Sequence, residues 1–144
     1  MRIVVMGAGA IGTVTGGFMA KAGHDVSLVG RQEAMAAIAR DGLHITGIWG
    51  EHRVTSLRVC SHPDELAGLP LPDLILIVVK SYDTDAAVEA ILPLAGPDTL
   101  VCSYQNGLGN AERIASRIGW ARTIGARVIF GARVIAPGRV DVTV

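Results

Sequence analysis

Cysteine, lysine and aromatic side chains are scarce in this chain, and neither sign of charge dominates it. Two cysteines, Cys60 and Cys102, stand far apart with no C-x-x-C spacing. That excludes a disulfide scaffold and fits reduced, buried thiols in a cytoplasmic protein. The four histidines lack metal-ligand spacing, and each reads as a turn or surface residue, so no metal is expected. Thirteen basic and thirteen acidic side chains cancel, which removes the electrostatic case for nucleic acid or an anionic membrane as partner. The longest strongly apolar run, LILIVV at 74–79, is too short to span a bilayer. Near the N-terminus, Gly7, Gly9, Gly12, Gly16 and Gly17 interrupt the sustained apolar stretch that a secretory leader needs. Lysine occurs twice, at Lys21 and Lys80, against eleven arginines. The bias is compositional, and it draws attention to any lysine at a chemically useful position.

What is present describes one globular domain over residues 1–144: half the side chains are hydrophobic and 18% are charged. Strand-like and helix-like segments alternate. RIVVM at 2–6 is a β-branched run, followed by glycines and a helical stretch to about Ala22. VSLV at 26–29 is a second buried strand, and residues 31–42 read as a helix closed by Gly42. Residues 43–60 alternate in polarity, contain Gly47 and Gly50, and read as a β-hairpin insertion. DLILIVVK at 73–80 is the clearest buried strand. It leads into a helix over 81–96 with an Asp or Thr available as cap and Gly96 at its end. A strand at 99–104, a helix at 108–119 and closing strands with a turn at Pro137–Gly138 complete the chain. The near-repeat GARVI at 125–129 and 131–135 is too short for a repeat architecture. The expected class is α/β: a Rossmann-type, doubly wound, mainly parallel sheet covered on both faces. Such sheets bind ligands beyond the carboxyl ends of their strands, which directs attention to residues 7–12, 30–31, 80–83 and 104–109.

GAGAIG, spanning Gly7, Ala8, Gly9, Ala10, Ile11 and Gly12, follows the first strand and opens the first helix. The first glycine permits a tight turn, the second lets backbone approach a pyrophosphate, and the third lets helix and strand pack closely. The helix N-terminus adds free N–H groups and partial positive charge. Glycines also serve ordinary turns, and a turn that binds nothing is the alternative.

A dinucleotide site that prefers NAD places an acid about 20 residues on, at the end of strand 2. Here Gly30 and Arg31 occupy that end. A carboxylate would repel a 2′-phosphate, whereas a guanidinium pairs with it bidentately. The expected cofactor is therefore NADP(H), with Gly30 leaving room for the phosphate. The competing view is an exposed arginine in an arginine-rich chain.

Lys80 ends the strand at 73–80, Asn106 sits just past the strand at 99–104, and both would reach the nicotinamide half of the crevice. An ammonium can hold ribose or substrate oxygens, and an amide can donate to and accept from them. Gly107 and Gly109 would let backbone approach a ligand. A solvated strand-end Lys and an Asn-Gly turn are the plain alternatives.

MRIVVMGAGAIGTVTGG, VSLVGR, VVKSYDTDAAV, SYQNGLGN and GARVIAPGRV, in this order, resemble the N-terminal domain of the 2-dehydropantoate 2-reductases, or ketopantoate reductases. The resemblance implies that Gly7 to Gly12 cradle the pyrophosphate, Arg31 takes the 2′-phosphate of NADPH and Lys80 contacts the cofactor near its ribose. Asn106 would lie between the nicotinamide ribose and the substrate. It further implies reduction of a small keto acid, 2-dehydropantoate, to pantoate on the way to coenzyme A, in the cytoplasm and in a homo-oligomer. The family's general acid and most substrate contacts lie in a helical second domain beyond the sheet, so this chain is expected to bind cofactor without normal turnover. A different NADP-dependent 2-keto acid or hydroxyacid oxidoreductase, or a nucleotide-sensing module without catalysis, are the rivals. The sensing module has no need of Lys80 together with Asn106, and would be expected to keep an acid at the end of strand 2.

Overall fold

The computed structural model describes residues 1–144. Four helices alternate with ten strands: β1 (Arg2–Met6), α1 (Ala10–Lys21), β2 (Asp25–Val29), α2 (Gln32–Asp41), β3 (Leu43–Gly47), β4 (His52–Val54), β5 (Leu57–Cys60), β6 (Leu74–Ile77), α3 (Thr84–Ile91), β7 (Leu100–Tyr104), α4 (Asn110–Ile118), β8 (Thr123–Ala126), β9 (Ala132–Ala136) and β10 (Arg139–Val142). Six strands form one sheet in the order β5-β2-β1-β6-β7-β8, and every pairing in it is parallel. The order turns back between β1 and β6, which is the switch point of a doubly wound fold. Continuous runs such as LILI in β6 follow from burial between two helical layers. One apolar core, built on Val5, Leu28 and Leu76, lies under α1 and α2, and the other, on Ile75, Ile77 and Val101, lies under α3 and α4.

The hairpin expected over 43–60 divides. β3 and β4 pair antiparallel as a hairpin, but β5 leaves it and joins β2 as an edge of the main sheet. The hairpin is also larger than its own sequence suggests, because β3 pairs in parallel with β10. Together with β9 this makes a second sheet in the order β4-β3-β10-β9. Alternating burial in β3 gave the two-faced pattern, while the parallel partner ninety residues away left no local trace.

α1 lies between the two sheets. It is rich in glycine and weak as an isolated helix, and its Gly16–Gly17 pair explains why. A Cβ on Gly16 would strike the Leu28 side chain of the main sheet, and one on Gly17 would stand 2.7 Å from Leu43 Cδ2 and 2.9 Å from Ile45 Cδ1 of the second sheet. Close approach on both sides requires the missing side chains.

Two further expectations are corrected. Neither Asp83 nor Thr84 caps α3 through its side chain, since the Thr84 hydroxyl is drawn into a buried network described below. Gly96 does not close that helix either, because one-turn 3-10 segments flank it at Ser81–Asp83 and Leu92–Leu94. Coverage of the sheet is also incomplete. On the α1 side, Leu100 of β7 and Ile124 of β8 are exposed, and an open apolar groove of about 510 Å³ is lined by Phe18, Trp49, Tyr104 and Phe130. No helix of the chain is long and apolar enough to cross a membrane.

Candidate functional site

The carboxyl ends of β2, β1, β6 and β7 form one continuous crest. Gly7 and Ala8 donate their N–H groups to the Val29 carbonyl at 3.1 and 2.9 Å, which fastens the glycine turn to the end of β2. On the other side, a Cβ on Gly7 would lie 2.7 Å from the Val79 nitrogen. Gly7 also has φ +112°, a conformation that side chains disfavour. Gly12 is excluded from any larger residue by a different neighbour, because its Cβ would collide with the Gly7 carbonyl and stand 3.2 Å from Val5 Cγ1. Both glycines are thus required by the fold.

Gly9 is not. Its φ of −76° suits any residue, and a Cβ there would have no atom within 4 Å. The first helical bond runs from the Thr13 N–H to the Gly9 carbonyl at 2.9 Å. The N–H groups of Ala10, Ile11 and Gly12 therefore precede the ladder and face outward at the positive end of α1. Bare backbone, open space and free donors together fit the pyrophosphate of a dinucleotide.

Arg31 stands at the head of α2, exposed and without an ion pair in the chain. Gly30 has a packing reason for being small as well as the one expected. A Cβ there would press 2.8 Å from Ala8 Cβ and 3.0 Å from Met35 Cε. The glycine lets the strand end pack on the turn.

Lys80 and Asn106 are both exposed, and neither side chain has a hydrogen-bond partner in the chain. Their loops are joined directly, since the Ser81 hydroxyl donates to the Asn106 carbonyl at 3.2 Å. Gly107 and Gly109 take φ +100° and +84°, so they turn the loop into α4. Asn106 borders a cleft of about 480 Å³ shared with Ala126, Arg127 and Val128. The strand-end rule extends to β8, and applied there it would have found Arg127, which the sequence reading passed over.

Sequence reading also missed the polar residues beneath these loops. Buried Gln105 donates to the Val79 carbonyl at 2.7 Å and to Thr84 Oγ1 at 2.9 Å, and accepts from Ser103 Oγ at 3.2 Å. Thr84 donates to Asn110 Oδ1 at 3.2 Å. Asn110 donates to Ser81 Oγ and to the Asn106 carbonyl, each at 3.2 Å. Only the packing of β6 against β7 makes these partners. The thiols offer no nucleophile: burial pushes Cys60 up to about 11, with Glu65 adding to the rise, and burial likewise raises Cys102. No group of three or more His, Cys, Asp or Glu could hold a metal ion.

The family model for ketopantoate reductase PanE/ApbA matches residues 3–144. The chain belongs to that family. It is 34% identical over 144 residues to the 2-dehydropantoate 2-reductase of Aquifex aeolicus, all of this chain against 44% of that relative. A crystal structure of 2-dehydropantoate 2-reductase from Geobacter metallireducens GS-15 superposes with a TM-score of 0.91 at 31% identity, over 100% of this chain and 46% of that one. The ternary structure of a D-mandelate dehydrogenase with NADH and anilino(oxo)acetate gives a TM-score of 0.88 at 25% identity, over 99% and 45%. The chain spans less than half the length of these relatives.

Proposed function

We propose that this chain is the dinucleotide-binding domain of an NADP(H)-dependent 2-dehydropantoate 2-reductase, which reduces 2-dehydropantoate to (R)-pantoate. The observation that carries the reading is Gly9: neither its φ nor any neighbour requires glycine, and bare backbone with open space at the head of α1 suits a ligand lying against it. Membership of the ketopantoate reductase family supports the substrate. The bound cofactor would supply hydride to the keto carbon. Gly7 to Gly12 hold its pyrophosphate through backbone donors, and the guanidinium of Arg31 pairs with its 2′-phosphate. Lys80 places a positive charge beside the ribose, and Asn106 orients ribose and keto acid by donating and accepting hydrogen bonds. Neither of these two is assigned the proton transfer, which belongs to a general acid outside these 144 residues. The isolated chain therefore binds cofactor and turns over substrate poorly.

Titration of the protein with NADPH and NADH tests the cofactor. NADPH should bind at least about tenfold more tightly, and Arg31→Ala should shrink that gap, as loss of one charge-assisted pair predicts. Equal affinities in the unaltered protein would sink the Arg31 assignment. The likeness to a D-mandelate dehydrogenase solved with NADH supports a second reading, in which the substrate is another 2-keto acid. Oxidation of NADPH by the protein joined to its family's second domain, with 2-dehydropantoate against an aryl 2-keto acid, separates the two.

A further inference from the structure

We propose that Gln105 is a positioning residue that sets Lys80 and Asn106 relative to each other, and through them the grip on the nicotinamide half of the cofactor. The inference rests on the cofactor reading above. Gln105 directly precedes Asn106 in the chain, and its side-chain amide donates to the carbonyl of Val79, which directly precedes Lys80. One buried side chain therefore spans the two peptides that launch the exposed functional residues.

Its amide orientation is fixed, because the Val79 carbonyl accepts and cannot donate. From that end the polarity runs one way. Ser103 donates to Oε1, Nε2 donates to Val79 and Thr84, Thr84 donates to Asn110, and Asn110 donates to Ser81 Oγ and the Asn106 carbonyl. Each donor hydrogen of Gln105, Thr84 and Asn110 is used, with Gln105 7% and Asn110 3% exposed. Burying three polar side chains costs about as much as their bonds return, so net stability is a poor reason for them. A saturated network does fix one geometry among many that apolar packing would tolerate. The residues whose geometry it fixes are the two whose exposed side chains have no partners in the chain.

Calorimetric titration with NADPH and with 2′,5′-ADP reads this directly, since the second ligand reaches the Arg31 side and lacks the nicotinamide half. Gln105→Leu should weaken NADPH about tenfold and leave 2′,5′-ADP within about twofold, because misplacing two ligand-facing groups costs on the order of one decade. Thr84→Val, which keeps shape and removes one acceptor of the Gln105 amide, should shift NADPH in the same direction by about threefold, and Thr84→Ser should restore it. On a Lys80→Ala/Asn106→Ala background, Gln105→Leu should add no further loss, the signature of action through those residues. Equal weakening of both ligands, or an undiminished effect on the double-variant background, would assign Gln105 to general stability and overturn the proposal. Unaltered NADPH affinity in Gln105→Leu or, should that variant not fold, in Thr84→Val would overturn it as well. Failure of the unaltered protein to bind either ligand would instead bring down the cofactor reading, and this inference with it.

Discussion

Residues 7–12 and the paired loops at 79–84 and 105–110 sit side by side on one crest, yet they are built by opposite means. The glycine turn is shaped by backbone alone: two N–H groups fastened to Val29, a left-handed Gly7 and no side-chain hydrogen bond. The paired loops are shaped by side chains, with seven hydrogen bonds among Ser81, Thr84, Ser103, Gln105, Asn110 and the carbonyls of Val79 and Asn106. A backbone site tolerates few substitutions and leaves a spacing in the sequence. A side-chain site is spread over residues 20–30 positions apart, and none of them stands out until the strands are paired.

The sharpest way to break the comparison lies within the turn itself, where Gly12 and Gly9 separate fold from ligand. Gly12→Ala drives a Cβ into the Gly7 carbonyl, and backbone cannot yield as a flexible side chain would. The expected loss is about 3 kcal/mol, which lowers Tm by roughly 10 °C for a domain of this size. Thermal unfolding checks it, and an unchanged Tm would mean that α1 slides freely on β1.

Gly9→Ala should do the reverse. With open space and an ordinary φ, the only cost is that of alanine against glycine at the N-cap of α1, so stability should fall by no more than about 1 kcal/mol. NADPH binding should nevertheless weaken about tenfold or more, because the methyl occupies the approach to the pyrophosphate. Titration and melting on the same sample give both numbers. A variant that binds NADPH as before would remove the main support for a dinucleotide at this turn.

The same contrast explains what was legible in the sequence. The strand–glycine–helix succession exposed the parallel sheet and the turn, because period and spacing are local properties. Counting from the turn placed Arg31 at the end of strand 2, where it is exposed at the head of α2. The packing role of Gly30 was not legible, since its neighbour Ala8 is close only once β2 lies beside β1. β5 was merged with the hairpin because an edge strand of four residues carries no mark of which sheet it joins. Gln105, Thr84 and Asn110 look like ordinary loop polars until β6 and β7 bring their ends together.

The smallest expected effect tests the exposed members of the crest. Lys80 and Asn106 are exposed, and neither side chain holds a hydrogen-bond partner in the chain. Lys80→Ala or Asn106→Ala should therefore leave Tm unchanged, while each weakens NADPH roughly five- to tenfold through loss of a hydrogen bond to ribose. Neither should alter binding of 2′,5′-ADP, so the loss stays at the nicotinamide end. If titration finds both variants equal to the starting protein, Lys80 is a solvated strand end and Asn106 a turn residue. The network below them would then have no ligand-facing groups to hold, and the two regions would cease to be parts of one site.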